Sequence, residues 1–302
     1  MNKNPLVSII MNCFNGAQYL NNALSSIKNQ TYKNWEIIFW DNCSTDNSSL
    51  IFKKNSDYRF KYYLADKHTG ISKAKNLAIE KAKGDLIAFL DVDDIWEHHK
   101  LEVQVPLFLN QKIGVAYSNF WLIKNNETKK RIFSKKKLFE GNIYNKIVNN
   151  YNVGLVTVII RKKYYDLLDK KFDERYGIIA DFDLILRLAK KYSFSCTQDQ
   201  LASYRLHAKN YSIVNKDKEI LDLELWIKEN SLGLGNELSK KIQDRIDAKK
   251  FIQSKISGDL KTSFKLIIKS KINFNFFKKI LIFFIPAILL KRFSWFYQSD
   301  KK

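Results

Sequence analysis

Four residues in succession, Asp91, Val92, Asp93 and Asp94, close a short apolar run in a chain whose charges are mostly positive. Strand geometry puts Asp91 and Asp93 on the same side. Two such carboxylates can hold a hard divalent cation, Mn²⁺ or Mg²⁺. A cation held there can bridge a diphosphate and neutralise charge as it departs. The competing reading is a solvated acidic turn, or a cap for a helix starting near Trp96. Taken alone, the cluster supports both equally.

Three further constellations carry weaker signals. Asp41-Asn42-Cys43-Ser44-Thr45-Asp46 follows an apolar run directly. A carboxylate there could accept the N3–H of a uracil or thymine ring, although the same residue types simply build turns and caps. In Ala180-Asp181-Phe182-Asp183-Leu184 the two carboxylates diverge if both are helical. One could cap the helix while the other faces a cleft as a general base toward a hydroxyl; the plain alternative is two carboxylates favouring the helix dipole. Tyr204-Arg205-Leu206-His207, followed by Asn210 and Ser212, offers a guanidinium and an imidazole for a phosphate or a metal. An ordinary strand end explains it as well. His68, His98 and His99 have no ligand spacing.

The elements that must position these residues follow from the apolar pattern. Leu6–Met11, Trp35–Trp40, Phe60–Leu64 and Asp85–Leu90 read as strands, the second stopped by Asp41. Between Gly16 and Gln30 the residues Leu20, Ala23, Leu24 and Ile27 recur at helical spacing. Ser72–Lys83 reads as a helix capped by Ser72 and closed by Gly84. This alternation predicts an open, mostly parallel sheet, whose ligands bind at the C-terminal strand ends. The polar clusters Asn12–Asn15, Asp41–Asp46 and Asp91–Asp94 all lie at those ends. Farther on, Gly114–Asn119, Gly154–Arg161 and Gln200–Leu206 read as strands, Phe182–Lys191 as a helix, and the chain from about Lys216 onward as helical.

Composition bounds the rest. The 302 residues are 45% hydrophobic and 27% charged, enough apolar content for a real core. Cys13, Cys43 and Cys196 form neither a disulfide framework nor a zinc motif, which suits a reducing cytoplasm. The first apolar stretch is too short for a signal peptide, and no window reaches the ~18 apolar residues of a spanning helix. The net charge of +21 calls for an anionic partner. From Lys261 to Lys302 there are ten Lys or Arg against one acidic residue, Asp300, around the apolar run Ile280–Leu290. That pattern suits a membrane interface.

Taken in order, the clusters resemble family 2 glycosyltransferases of the GT-A fold. Val7-Ser8-Ile9-Ile10-Met11-Asn12-Cys13-Phe14-Asn15 resembles the family's first strand and turn, and Trp35–Asp46 its base-binding strand and loop. Gly70-Ile71-Ser72-Lys73-Ala74-Lys75-Asn76 is similar to its Gly…Ala-Arg-Asn segment, with Lys75 at the arginine. Asp91-Val92-Asp93 is the D-x-D element. Ala180–Leu188 resembles the segment that supplies the base, with Ala180 where Glu is usual, and Tyr204-Arg205-x-His207 closes the set. The resemblance spans about residues 5–212. It implies a mixed, mostly parallel α/β sheet flanked by helices, a divalent cation (Mn or Mg) and inversion at the anomeric carbon. It further implies that Asp181 is the catalytic base and that Asn12, Asn15, Asp41, Lys75, Asp91 and Asp93 bind the donor nucleotide and sugar. Asp93 and His207 would hold the metal.

The expected organisation is a glycosyltransferase domain at 1–212 and a helical extension at 213–302 ending in a basic, membrane-associating tail. The expected reaction moves a sugar from a nucleoside diphosphate, foremost a UDP-sugar, to a hydroxyl of a glycan or lipid-linked acceptor in bacterial surface polysaccharide. The place would be the inner face of the cytoplasmic membrane, peripherally bound. A sugar nucleotidyltransferase is the enzymatic alternative, but Cys13-Phe14-Asn15-Gly16 is not its Gly- and Lys/Arg-rich phosphate loop. A basic membrane- or nucleic-acid-binding protein would not need three acidic clusters at strand ends, so nucleic acid is not an expected partner.

Overall fold

The computed structural model describes residues 4–124, 130–269 and 282–285. The chain forms β1 (Val7–Cys13), α1 (Ala17–Lys28), β2 (Trp35–Asp41), α2 (Ser48–Asn55), β3 (Phe60–Leu64), α3 (Ile71–Glu80) and β4 (Leu86–Phe89). There follow β5 (Ile95–Trp96), α4 (Lys100–Gln104), β6 (Ile113–Lys124), β7 (Lys130–Ile132), α5 (Tyr144–Asn149), β8 (Ile159–Arg161) and α6 (Lys162–Asp166). The last elements are α7 (Ala180–Lys191), β9 (Ser193–Leu206), α8 (Tyr211–Val214), α9 (Lys216–Ser257) and α10 (Leu260–Ile268). Two compact units result, Met1–Val214 and Asn215–Lys302.

In the first unit the described strands form one mixed sheet, ordered β3-β2-β1-β4-β8-β6-β9-β5, with β7 paired to β6. The first four strands are parallel. The near-continuous apolar runs of β1 and β2 reflect burial on both faces. Leu20, Leu24 and Ile27 of α1 pack with Val7, Ile9 and Met11 in the core below the sheet. Because β1 is flanked by β2 on one side and β4 on the other, strand order reverses there. The crevice beyond those strand ends is where an open α/β sheet takes its ligand.

Two polar residues interrupt the apolar strands for a structural reason. Ser8 Oγ donates to Glu36 Oε1 at 2.6 Å. Glu36 Oε1 also accepts from Lys83 N, and Ser8 Oγ accepts from Gly84 N, both at 2.8 Å. This network pins the turn into β4. Gly84 is therefore not the helix stop that its position suggested. The helix ends at Glu80 with Lys81 as its C-cap. A Cβ on Gly84 would lie 2.6 Å from the Leu6 carbonyl oxygen, so close backbone approach selects glycine there. Likewise Ser72 does not cap α3, since Gly70 occupies the N-cap and Ser72 is buried in the first turn. The predicted strand over Gly154–Arg161 is a 3₁₀ turn at Leu155–Thr157 followed by β8 alone.

Lys100 of α4 is fully buried. Its Nζ donates to Gln104 Oε1 at 2.6 Å and to the Thr157 carbonyl at 3.4 Å, 4.3 Å from the Trp96 ring centroid. Burial pushes its pKa well below the ordinary lysine value. Between the folded value and the unfolded ~10.4 the unfolded chain binds more protons, so stability rises with pH through that window. Thermal melts should show the wild type gaining stability relative to Lys100→Met as pH rises toward ~10. Parallel pH curves would show that Lys100 is charged when folded.

The second unit is helical. Gly235, at φ +73°, interrupts α9 and lets its two arms run back along each other. Lys249 meets Glu219 at 2.8 Å and Lys250 meets Glu224 at 2.5 Å across that reversal. Among the described residues no helix is long and apolar enough to cross a membrane. The apolar run Ile280–Leu290 singled out from the sequence lies mostly outside the described residues.

Candidate active site

The Asp91–Asp94 segment is a turn, not a continued strand. β4 stops at Phe89, and Asp94 N donates to the Asp91 carbonyl at 3.1 Å. The alternation expected to aim Asp91 and Asp93 together therefore does not apply, and each finds a different partner. Asp93 turns toward the end of β9. Its Oδ2 lies 2.8 Å from His207 Nε2 and accepts from Asn210 Nδ2 at 3.2 Å. Asp94 is buried and takes Arg205 N on Oδ1 at 2.9 Å. Burial, with Asp93 and Asp91 adding repulsion, holds the Asp94 carboxyl well above the ordinary range. It is a post for the turn and not a cap for the next helix.

β9 supplies the other half of this corner. Arg205 Nε donates to the Asp93 carbonyl at 2.9 Å, and its guanidinium sits 4.9 Å from the Tyr19 ring. The same ring packs against His207, with centroids 5.0 Å apart. Asn210 Oδ1 accepts from His207 N at 2.6 Å. Arg205 thus braces the turn. Tyr19 and Asn210, to which sequence reasoning gave no role, hold the imidazole against Asp93. Only the spacing of Asn210, three after His207, hinted at this.

Asp91 faces the other way, toward α3. Lys75 Nζ lies 3.9 Å from Asp91 Oδ1 and 5.8 Å from the Phe172 ring centroid. Helix α3 also grips the segment that leads into α7. Ser72 Oγ donates to the Tyr176 carbonyl at 2.6 Å, and Asn76 binds both N and O of Phe172. That grip sets where α7 begins, with Asp181 in its first turn. Protein packed around Asp181 raises its pKa; Lys75 opposes the shift and Asp91 adds to it. Asp91 is raised by the same desolvation, again opposed by Lys75, although its side chain is 44% exposed. Asp181, Lys75 and Asp91, from three distant segments, therefore act electrostatically on one another.

Asp183 is absorbed elsewhere. Its Oδ2 accepts Arg187 Nε at 2.9 Å and Nη2 at 2.7 Å along α7. Arg187 also donates to the Lys170 and Lys171 carbonyls. The two carboxylates diverge as helix geometry requires, and Asp181 is the one within electrostatic reach of Lys75 and Asp91.

The loop after β2 is largely self-satisfied. Asp41, only 1% exposed, accepts Ser44 N on Oδ1 at 2.8 Å and the Tyr62 hydroxyl on Oδ2 at 2.7 Å. Asn42 binds Thr69, while Asp46 Oδ2 accepts Ala17 N at the start of α1 and its Oδ1 accepts Ser48 N. Asn15, at φ +54°, spends its side-chain oxygen on Thr45 N and Oγ1 and its own N on Ser44 Oγ. By contrast, Asn12 at the end of β1 has both amide atoms buried and without a hydrogen-bond partner. Its cross-strand neighbour Trp40 leaves its indole N–H in the same condition.

The pattern of Glycosyl transferase family 2 matches residues 8–168, more than half the chain. The chain belongs to this family. It is a glycosyltransferase of the GT-A fold. Over 217 residues the glycosyltransferase is 33% identical to the UDP-Glc:alpha-D-GlcNAc-diphosphoundecaprenol beta-1,3-glucosyltransferase WfgD of Escherichia coli, covering 71% of this chain and 82% of that one. It is 30% identical over 218 residues to the E. coli enzyme WfaP, which carries the same description, covering 72% and 83%. Among solved structures it resembles the mannosyltransferase PcManGT of Pyrobaculum calidifontis, in complex with GDP-Man and Mn²⁺, with TM-score 0.60 at 14% identity. That likeness covers 99% of this chain and 82% of that one. S. aureus TarS in complex with UDP gives TM-score 0.57 at 20% identity, covering 88% and 75%. At these identities the structural likenesses establish the fold.

Proposed function

We propose that this glycosyltransferase moves a sugar, with inversion, from a UDP-sugar to a hydroxyl of a lipid-diphosphate-linked glycan in bacterial surface-polysaccharide assembly. The observation that carries this reading is the meeting of Asp91, Asp181 and Lys75 at one end of the sheet, beside the Asp93–His207 pair. The named activities of WfgD and WfaP support the UDP donor and the lipid-linked acceptor.

A divalent cation fits the residues present. Asp93 Oδ2 and His207 Nε2, 2.8 Å apart, form a compact oxygen-and-imidazole pair. The described residues contain no group of three or more His, Cys, Asp or Glu suited to a metal. Two protein ligands suit Mn²⁺ or Mg²⁺, which commonly complete their shell with water and substrate phosphates. When bound, the ion would offset the charge of the departing diphosphate.

The chain's own residues do the rest. Asp181 takes the proton of the acceptor hydroxyl as its oxygen attacks C1 of the donor sugar. The C1–O bond to the diphosphate breaks on the opposite face, which inverts the centre. Desolvation raises the basicity of Asp181, matching a carboxylate to proton abstraction. Lys75 steadies negative charge beside Asp91, which faces the ribose or donor sugar. Asp41, held by Tyr62 and Ser44, retains lone pairs for the base, and Asn12, one register position earlier on β1, keeps its amide unpartnered. Asn15 fixes the loop over the nucleotide.

Residues 213–302 form the extension, and its basic tail holds the enzyme to the inner leaflet of the cytoplasmic membrane, where a lipid-linked acceptor resides. The test is a binding and hydrolysis screen of UDP-, GDP- and dTDP-sugars with and without Mn²⁺ or Mg²⁺. Selective, metal-dependent binding of UDP-sugars is expected. Equal indifference to all donors would sink the reading.

A further inference from the structure

Helix α10 presents two parallel exposed stripes, one apolar and one basic. Asp259 caps the helix by accepting Thr262 N at 3.0 Å, and Gly258, at φ +84°, turns the chain into it from α9. Its inner face is settled. Ser263 and Ile267 are buried, and Ser263 Oγ meets Ser254 Oγ of α9 at 2.8 Å. On the outer face Leu260, Phe264 and Ile268 recur every four residues and are 52%, 57% and 65% exposed. Lys261, Lys265 and Lys269 form the adjacent row at the same spacing, also exposed, with Lys269 reaching Asp247 at 3.1 Å.

We infer that this outer face of α10 docks on an anionic lipid bilayer, the three apolar side chains entering the headgroup boundary and the lysines meeting acidic headgroups. This rests on the membrane reading above and assigns it a surface. An apolar row beside a row of long cationic side chains is the arrangement of a helix lying in the interface plane, where lysine stems cover apolar surface and their ammonium groups reach phosphate. Charge complementarity favours this occupant. The sequence beyond the helix continues with Lys271, Lys278, Lys279, Lys291 and Arg292 and no acidic residue before Asp300. A second copy of the chain fits less well, because two-fold pairing through this face would bring like-charged lysine rows together.

The experiment compares full-length wild type with Phe264→Glu/Ile268→Glu in co-sedimentation with acceptor-free vesicles. One set is pure phosphatidylcholine; the other has one third replaced by phosphatidylglycerol. Wild type should bind the anionic vesicles and lose binding at high salt. The double variant should bind them more weakly by on the order of tenfold. A milder variant, Phe264→Ser, should be intermediate and guards against a folding defect, as does circular dichroism of both. Unchanged vesicle binding in a folded double variant overturns the proposal. So does a wild-type dimer that the double variant dissociates while vesicle binding persists. UDP-sugar binding measured on the same proteins separates the two readings. A wild type that binds vesicles through this face but no donor contradicts the proposed activity and leaves the docking surface standing.

Discussion

Replacing Asp181 by Asn is expected to lower sugar transfer by about 10²- to 10⁴-fold while leaving UDP-sugar affinity little changed. Asn keeps the size of the side chain and an oxygen to accept Phe182 N, the 2.7 Å contact that Asp181 makes in the first turn of α7. What is lost is the ability to take a proton. The residue should therefore affect turnover and not donor affinity, and isothermal titration alongside a transfer assay separates these. The pH profile gives a second reading. Burial raises the Asp181 carboxyl above the ordinary value, with Lys75 limiting the rise. The base works only when ionised, so the acidic limb of kcat/KM should fall at a pH above the ~3.9 of an unperturbed aspartate. A variant that loses donor binding in step with transfer would place Asp181 in the donor pocket instead.

Removing the Asp93 carboxylate should weaken metal-dependent donor binding by several kcal/mol, on the order of 10³-fold. Asp93→Asn is the cleaner choice than Asp93→Ala. An amide can still meet His207 and Asn210, which hold Asp93 Oδ2 at 2.8 and 3.2 Å, so the corner should stay folded. Donor binding by wild type should fall to a similar level on adding EDTA, and EDTA should then have little further effect on the variant. If Asp93→Asn keeps full, EDTA-sensitive affinity, the cation sits elsewhere and the Asp93–His207 contact is only a structural hydrogen bond.

Much of the scaffold could be read in advance, and particular residues explain why. Leu20, Ala23, Leu24 and Ile27 announce α1 because one buried helix face repeats on a local period. β1 and β2 are legible because burial on both sides demands unbroken apolar runs. Local pattern failed where a residue answers to a distant one. Ser72 has the chemistry of a cap, yet its hydroxyl serves Tyr176, 104 positions away. Gly84 has the chemistry of a helix stop, yet it is fixed by the Leu6 carbonyl. Asp41 looks like an open acceptor in sequence, and Tyr62 already occupies one of its oxygens.

The sequence by itself determined the order of strands and helices that opens the chain, the placing of polar clusters at strand ends, and the family. Those features repeat over a few residues or recur as short ordered motifs, so they need no knowledge of the third dimension. The tertiary structure alone decided which partner each carboxylate meets. It parted Asp91 from Asp93 by turning the chain after β4. It gave Asp183 to Arg187 while leaving Asp181 within electrostatic reach of Lys75 and Asp91. It brought His207 to Asp93 across 114 residues. Such pairings depend on how β9 registers beside β6 and on how α3 grips the segment before α7. Both are fixed by packing over the whole sheet, which no local period encodes.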